Sequence, residues 1–309
     1  MSKKGLNSLV GLATEKRKCL INIKACRVTG EPFPSTLLWG IGGTGKTALA
    51  RAIAEELNYY FVEREAFSLK SPEQIAEMLL GSNREAADRK LLLFVDEVHR
   101  LSIRLQEVFY YPMKEWRIMS DGQYVKLKPF TLIAATTRKD MLDEASFVQR
   151  FQNIWEISRY HFDHICEIIS KIFSDEKMFH GPEEVRAIAS RCLGIPRQAA
   201  NLAIKVRNHA LSRNSRTILH CDIEEVFLLE GIDYIGLSEL HDRYLAALLP
   251  QGSRPKGLVS LAGKLSQHED VLVGTIEPIL LSLGLIDINR GRILTEAGDL
   301  HLKKLQKSA

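Results

Sequence analysis

The sequence predicts an α/β protein in which a parallel-sheet domain is followed by a small helical domain and then by a compact C-terminal domain. Short apolar runs typical of buried strands alternate with helical segments over residues 1–158. Apolar residues recur at three- and four-residue spacing, without strand signals, over residues 159–233. Helical segments then precede two short strands in residues 234–309.

Composition sets only broad limits on function. The 309 residues are 45% hydrophobic and 26% charged, which is ordinary for a globular protein, and the formal net charge of +4 is too small to indicate nucleic-acid binding alone. We found neither an apolar run of roughly 18 residues nor a secretory signal, so we expect a cytoplasmic protein. The five cysteines are scattered and never spaced CxxC, which argues against a disulfide framework or a thiolate zinc site.

The first predicted strand, STLLW, leads into the sequence GIGGTGKT and then into the helical segment ALARAIAEEL. This order matches the phosphate-binding pattern GxxxxGK[ST], in which backbone N–H groups and a helix N-terminus face the phosphates. We predict that Lys46 reaches the outer phosphates and that the Thr47 hydroxyl ligates Mg²⁺. The predicted nucleotide contacts of this segment are Gly40, Gly42, Gly43, Thr44, Gly45, Lys46, Thr47 and Ala48. An ordinary glycine turn between a strand and a helix is the alternative.

A second apolar run, LLLFV, ends in two carboxylates, Asp96 and Glu97. A buried parallel strand would place both at the edge of the sheet where ligands bind. We predict that Asp96 holds the Mg²⁺ and that Glu97 orients the water that attacks the terminal phosphate. The alternative is that the pair caps a helix.

A third strand, PFTLIAAT, ends in Thr136 and is followed by Thr137 and Arg138, and these polar groups can approach the terminal phosphate or the attacking water from the side. Taken in order, the phosphate loop, the Asp-Glu strand and this polar-tipped strand indicate a sheet wound around one nucleotide.

Several longer segments resemble the RuvB family of AAA+ ATPases, the motors that drive branch migration of Holliday junctions. The similar segments keep their order and spacing from about Leu9 to Thr295. They are DEVHRLS, YPMKEW, PFTLIAATTR, GIPRQAANLAIKVRNHA and RGRILT. The resemblance implies an ATP hydrolase that uses Mg²⁺ and acts on duplex or branched DNA in recombination or repair.

The resemblance also implies roles for single residues. Thr137 matches the family's sensor-1 position, Arg197 in GIPRQ matches sensor 2, and Val10 lies in the N-terminal signature that frames the adenine. Arg150 matches the arginine finger, which acts on the nucleotide of a neighbouring subunit, so we expect a homo-oligomer, as a hexameric ring. The alternative for Arg150 is a surface ion pair with a residue such as Glu144.

The resemblance divides the chain into a large ATPase domain with an inserted β-hairpin (1–158), a small helical lid (159–233) and a winged-helix domain (234–309). Arg290 and Arg292 flank a glycine at the predicted hairpin of the winged helix, and we predict that both contact DNA phosphates. Many winged helices bind proteins, so the fold alone leaves that alternative open. His161, His164 and Cys166 lie close in sequence, but no fourth metal ligand is near them, which favours surface or capping roles.

The chain departs from the family at the inserted hairpin, which engages RuvA in RuvB. Here the segment WRIMSDGQYVKLKPF is several residues shorter, and its Asp121-Gly122 pair signals a tight turn. We expect the strands to persist and the projecting tip to be lost, so docking to a standard RuvA is not carried over. Leu12 and Gln152 also replace a family glutamine and a family glycine.

Two functions of different classes follow from the sequence. The first is an oligomeric ATP-driven motor that moves duplex or branched DNA. The second, suggested by the shortened hairpin, is an ATP-switched matchmaker that binds DNA or protein and hydrolyses ATP only for release. A clamp-loader-like subunit is supported only by general AAA+ similarity.

Overall fold

A computed structural model describes residues 5–249 and 255–308 of the chain. The contacts divide it into two units. One comprises Met1–Gly40 and Thr44–Ser158, and the other comprises Ile41–Gly43 and Arg159–Ala309. No helix in the described part of the chain has the length and apolar character that a membrane span requires.

The first unit is built on a five-stranded parallel sheet with the order β2-β3-β6-β1-β7. Its strands are β1 (Thr36–Trp39), β2 (Tyr60–Glu65), β3 (Leu91–Asp96), β6 (Phe130–Thr136) and β7 (Asn153–Glu156). Strands β3 and β6 are apolar and buried on both faces, as expected for the centre of a parallel sheet covered by helices. The predicted α/β class is therefore confirmed.

In the described part of the first unit, five α-helices accompany this sheet. They are α1 (Ala13–Thr29), α2 (Lys46–Leu57), α3 (Pro72–Glu85), α4 (Ile103–Glu107) and α5 (Tyr110–Glu115). Helix α3 begins after Ser71, whose hydroxyl accepts a hydrogen bond from the Gln74 N–H, and Pro72 occupies its first turn. Buried side chains of α3 join those of β3 and β6 in one hydrophobic core.

The inserted hairpin is present and short. Strands β4 (Arg117–Ser120) and β5 (Gln123–Lys126) pair in antiparallel register, with Ser120 opposite Gln123. The connecting residues, Asp121 and Gly122, have φ values of 49° and 75°, as a two-residue type I′ turn requires. The predicted tight turn is therefore confirmed.

The helical part of the second unit contains four helices around one core. They are α6 (Phe162–Asp175), α7 (Pro182–Ser190), α8 (Pro196–Ser212) and α9 (His220–Leu229). Their apolar faces meet in a cluster that includes Ile169, Phe173 and Val206, each fully buried. Asp222, also fully buried, is bonded to Arg213 and His209, so its charge is paired inside the domain.

The C-terminal part of the second unit has the outline of a winged helix. Its helices are α10 (Glu239–Leu248), α11 (Leu258–Leu265), α12 (Glu269–Val271), α13 (Glu277–Ser282) and α14 (Glu296–Ser308), with a π-helical segment, Leu272–Ile276, joining α12 to α13. Strands β8 (Ile286–Ile288) and β9 (Arg292–Leu294) form the wing, and Lys256 adds a bridge to β9. The sequence predicted the wing; α14 is an additional helix that packs on α10.

Candidate functional site

The phosphate loop joins β1 to α2, and α2 begins at Lys46, so the lysine and Thr47 occupy the first turn of the helix. Lys46 is buried, and its Nζ donates a 2.8 Å hydrogen bond to the Gly40 carbonyl. The loop glycines Gly40, Gly43 and Gly45 have φ values of 140°, 80° and 95°. This backbone, followed by a helix N-terminus, has the form of an anion-binding cradle.

Two loop glycines are required by close approach as well as by backbone angle. A Cβ on Gly40 would lie 2.4 Å from the Ile157 carbonyl oxygen. In the second unit, a Cβ on Gly43 would lie 2.8 Å from the Cβ of Arg197. Neither neighbour leaves room for a side chain, so these positions accept only glycine.

The two predicted carboxylates lie where β3 ends. Asp96 is the last residue of the strand, and its Oδ1 accepts a 2.9 Å hydrogen bond from the Glu97 N–H. Burial raises the pKa of Asp96, and the positive charge of Lys46 partly opposes that shift. The structure therefore brings Lys46 and Asp96 within electrostatic reach of each other, as the sequence predicted.

Glu97 adopts a left-handed backbone conformation, with φ of 48°, that turns its side chain toward the next strand. There its Oε2 accepts hydrogen bonds from the Thr137 N–H at 3.1 Å and from the Thr137 hydroxyl at 3.0 Å. Because β3 and β6 are neighbours in the sheet, their polar tips meet at one edge.

His99 completes this cluster and was missed in the sequence. Its Nδ1 lies 3.1 Å from Glu97 Oε2 and 3.0 Å from the Thr136 hydroxyl. Burial would raise the pKa of Glu97, but the hydrogen bonds from His99 and Thr137 outweigh it and lower this pKa to about 2. Glu97 is thus ionised at neutral pH. The available signal was a histidine two residues after the predicted catalytic glutamate.

Arg150 ends a short 3₁₀ helix before β7 and is exposed. Its guanidinium lies 5.0 Å from the ring centroid of Tyr110, and its Nε donates to the Ser146 carbonyl at 3.3 Å. Glu144, the alternative partner considered from sequence, is paired with Lys139 at 3.6 Å. Arg150 therefore presents its charge at the surface without the ion pair to Glu144 that was the alternative to the finger role.

Arg197 lies in the first turn of α8, immediately after Pro196, as the sequence predicted. Its backbone N–H donates to the Gly43 carbonyl at 3.2 Å, and its side chain is exposed. Within the second unit, Arg197 lines a cavity of about 430 Å³ together with Ile41, Gly42 and Leu193.

The remaining predicted nucleotide contacts differ in how exposed they are. Thr44 is fully buried within the loop, whereas Ala48 is exposed on α2. Val10 is half-buried in the segment before α1, and Leu12, which replaces the family glutamine, immediately precedes α1 in a left-handed conformation.

The two wing arginines, given one role from the sequence, differ in the structure. Arg290 is exposed at the turn of the wing. Arg292 instead points into the domain, where Nε and Nη2 donate to Glu277 at 3.0 and 3.2 Å. Tyr244 donates a further 2.8 Å bond to the same carboxylate. The side chain of Arg292 is thus occupied by a structural ion pair, because Glu277 is buried and needs a counter-charge.

The exposed side of the inserted hairpin carries aromatic and apolar side chains. Tyr111 and Tyr124 lie with ring centroids 5.5 Å apart, and Arg117 stacks 4.6 Å from the Tyr124 ring. Met119 is also exposed. The short hairpin therefore retains an apolar surface even though its tip is reduced to two residues.

Comparison with known proteins identifies two matching family models. Residues 1–157 match the Holliday junction DNA helicase RuvB P-loop domain, and residues 234–303 match the RuvB C-terminal winged helix domain. The chain is 33% identical over 303 residues to the Holliday junction branch migration complex subunit RuvB of Fervidobacterium nodosum, covering 95% of this chain and 86% of the relative. The same-named protein of Pseudothermotoga lettingae is 32% identical over 307 residues, covering 96% and 88%.

Solved structures agree with the sequence relatives. The structure described as the Thermotoga maritima RuvB Holliday junction branch migration motor matches with a TM-score of 0.88 at 30% identity, covering 98% of both chains. Fold, phosphate loop and full-length similarity thus point to one family. The chain belongs to the RuvB family, AAA+ ATPases that bind and hydrolyse ATP as branch-migration motors in DNA recombination and repair.

Proposed function

We propose that this chain assembles into a homo-oligomeric ring, as a hexamer, that uses Mg²⁺ and ATP to move Holliday-junction or other branched duplex DNA. The observation that carries the proposal is the cluster of Lys46, Asp96, Glu97 and Thr137 at one edge of the sheet. Its relatives are named branch migration complex subunits, so the chemistry and the substrate are proposed together.

We assign phosphate binding to the loop backbone and Lys46, and Mg²⁺ binding to Thr47 and Asp96. The donor set fits this cation because it consists of a hydroxyl and a carboxylate, and Mg²⁺ prefers oxygen ligands. The raised pKa of Asp96 also fits, since a buried carboxylate is stabilised by a cation beside it. When bound, Mg²⁺ would neutralise charge on the outer phosphates.

Glu97 and Thr137 are proposed to hold the attacking water. The low pKa of Glu97 makes it a weak proton acceptor, so its role is to orient the water and polarise it electrostatically. Arg150 is proposed to reach the nucleotide of a neighbouring subunit, where its guanidinium stabilises charge on the transferred phosphoryl group. Its exposure and lack of a carboxylate partner among the described residues support that role.

Arg197 is proposed to sense the nucleotide, and the cavity that it lines with Gly42 is proposed to receive part of the nucleotide. From the sequence, Val10 and Ala48 are proposed as further nucleotide contacts. Among the described residues of the second unit, one hydrophobic cluster lies within 159–233 and another lies mostly within 234–309. This supports a division of the chain into an ATPase domain (1–158), a helical lid (159–233) and a winged helix (234–309).

The winged helix is proposed to contact DNA phosphates through Arg290. Arg292 is left out of this contact because its guanidinium is engaged by Glu277. Contacts of this kind position the protein on DNA without reading sequence.

The decisive experiment follows the movement of a synthetic four-way junction with ATP. Wild type is expected to convert the junction into its products and to hydrolyse ATP faster when the junction is present. Glu97→Gln should bind ATP and barely turn it over, while Glu107→Gln, an exposed glutamate on α4, should behave like wild type. Junction-stimulated ATP hydrolysis without any junction movement would overturn the motor proposal.

The two-residue turn of the inserted hairpin favours a second candidate, an ATP-switched matchmaker that binds DNA or a protein and hydrolyses ATP only for release. In that case Glu97→Gln should be locked on DNA with ATP and remain active in recruiting the partner. A motor with the same substitution should instead be bound and inactive. The two candidate functions also differ in the partner of the hairpin, which is a RuvA-like protein for the motor and another protein for the matchmaker.

A further inference from the structure

The second unit contains a cluster of three side chains that commonly bind metals, and none of them belongs to the phosphate loop. Asp233 precedes the winged helix, Asp242 lies on α10, and His301 lies on α14. One ligand atom from each of the three lies within 4.8 Å of the other two. The His301 side chain is 3% exposed and that of Asp233 is 5% exposed.

This cluster has more carboxylate acceptors than hydrogen-bond donors. His301 Nε2 lies 3.3 Å from Asp242 Oδ1 and 3.2 Å from Asp233 Oδ2. One ring nitrogen carries at most one proton, and its hydrogen bond is directed at Asp242. Asp233 Oδ2 is therefore buried without a hydrogen-bond partner among the described residues. A buried carboxylate oxygen left in that state costs free energy unless a cation compensates it.

Two of the three spacings in the cluster fit a small tetrahedral cation, and the third is at most 4.8 Å. With zinc–ligand bonds of about 2.0 Å, neighbouring ligands of a tetrahedral zinc lie about 3.3 Å apart. The separations from Nε2 to the two carboxylate oxygens, 3.2 and 3.3 Å, match this edge length. One imidazole and two carboxylates are also a ligand set that zinc accepts.

The surroundings supply the other parts of such a site. The second ring nitrogen of His301, Nδ1, lies 3.1 Å from the Tyr234 hydroxyl, which would fix the tautomer that offers Nε2 to a metal. Asp233 Oδ1 accepts hydrogen bonds from the N–H groups of Ile235 and Leu237, which hold that carboxylate in place. A cavity of about 860 Å³ is lined by Asp233 and Asp242, two of the three residues of the cluster.

We propose that Asp233, Asp242 and His301 form a structural zinc site. The ion would join the segment before α10, α10 itself and the C-terminal helix α14, three parts of the chain that are distant in sequence. Its effect would be to hold α14 on the winged helix. The proposal is independent of the nucleotide site, since none of its ligands belongs to that cluster.

The test uses the full-length protein, stripped of metal and nucleotide with a chelator and then given zinc chloride in excess Mg²⁺. After desalting, elemental analysis should find one tightly held zinc per chain. Loading with Co²⁺ should give the strong visible absorption of a four-coordinate site. Asp233→Asn keeps the Oδ1 acceptor and therefore the local turn, but it should lose both the zinc and the spectrum; His301→Asn should do the same.

Two controls locate the ion. His268→Asn removes an exposed histidine of the same domain and should retain one zinc, and Thr47→Ala should retain it because the nucleotide site is not involved. Failure of wild-type protein to hold zinc would overturn the proposal. Undiminished zinc in Asp233→Asn would overturn it as well, even if His301→Asn does not fold.

Discussion

The Oε2 atom of Glu97 accepts two hydrogen bonds from Thr137, one from the backbone N–H at 3.1 Å and one from the hydroxyl at 3.0 Å. The two residues follow neighbouring strands of the sheet, so this contact links the end of β3 directly to the end of β6. The hydroxyl and the backbone donor can be separated by mutation, because only the hydroxyl depends on the side chain.

Thr137→Val removes the hydroxyl donor and leaves the backbone bond to Glu97. A hydrogen bond to a charged group is worth about 1.5 kcal/mol, so we expect kcat for ATP hydrolysis to fall about tenfold. ATP affinity should change little, since the phosphate loop is untouched. Steady-state ATPase assays with nucleotide-binding titrations measure both quantities.

Thr137→Ser is the matched control, because serine restores the hydroxyl and should recover most of the activity. Equal activity in the valine and wild-type proteins would show that the Glu97–Thr137 hydroxyl contact plays no part in turnover.

The pKa of Glu97, lowered from its ordinary 4.5 to about 2, predicts a pH dependence of stability. A carboxylate with a depressed folded-state pKa stabilises the fold above its unfolded pKa, and the contribution is lost as pH falls from about 4.5 toward 2. Glu97→Gln removes the charge and with it this dependence of stability on pH. Between about pH 6 and about pH 3, the melting temperature of nucleotide-free Glu97→Gln should therefore fall less than that of wild type.

The control for this pH series is Glu107→Gln, an exposed glutamate of α4 that should melt with the wild-type pH profile. Parallel melting curves for wild type and Glu97→Gln across the acid range would contradict the assigned pKa.

The cluster proposed as the nucleotide site was predictable from sequence because its parts lie at strand ends, and the ends of parallel strands meet at one edge. A motif and two apolar runs were enough to place Lys46, Asp96, Glu97 and Thr137 there. The His99 contact was not predictable in the same way, because it depends on how the chain turns after β3. That turn is set by the left-handed backbone of Glu97, for which the sequence carries no glycine signal.

The wing shows a second limit of prediction from sequence, which concerns the direction of side chains. The spacing of Arg290 and Arg292 around a glycine correctly predicted a hairpin, but not which way each side chain points. That direction is decided by Glu277, a buried carboxylate 15 residues before Arg292 in sequence. A lone glutamate in the apolar stretch GTIEPILL was the available signal for a buried ion pair.

Arg150 is predicted to act between subunits. Arg150→Ala should leave ATP binding nearly unchanged and lower hydrolysis by the assembled protein by about 10³-fold, the scale of a lost arginine finger. Mixed with wild type, it should reduce activity by more than its share of subunits. Arg104→Ala, which removes an exposed arginine on α4, is the control. Activity of mixtures that follows simple proportion would argue against action on a neighbour's nucleotide.

Arg290 is predicted to contact phosphate on DNA. Arg290 has a φ of 51°, so Arg290→Gly removes the charge at a position where glycine relieves backbone strain, and folding should not suffer. DNA affinity should fall similarly for unrelated sequences, and the slope of log affinity against log salt should become shallower by about one. Arg290→Lys should keep most of the affinity. An unchanged salt slope in the glycine variant would exclude this contact.

Arg292 and Glu277 are predicted to contribute to stability. Glu277→Ala would leave the Arg292 guanidinium without its buried counter-charge, and breaking a buried ion pair costs about 3 kcal/mol. Chemical denaturation followed by circular dichroism should show this loss as a lower free energy of unfolding. Tyr244→Phe, which removes only one of the three hydrogen bonds to Glu277, should cost about 1 kcal/mol. A Glu277→Ala protein that is as stable as wild type but binds DNA more weakly would contradict this prediction. The ion pair would then not explain why the Arg292 side chain points inward, and Arg292 would again be a candidate for contacting DNA.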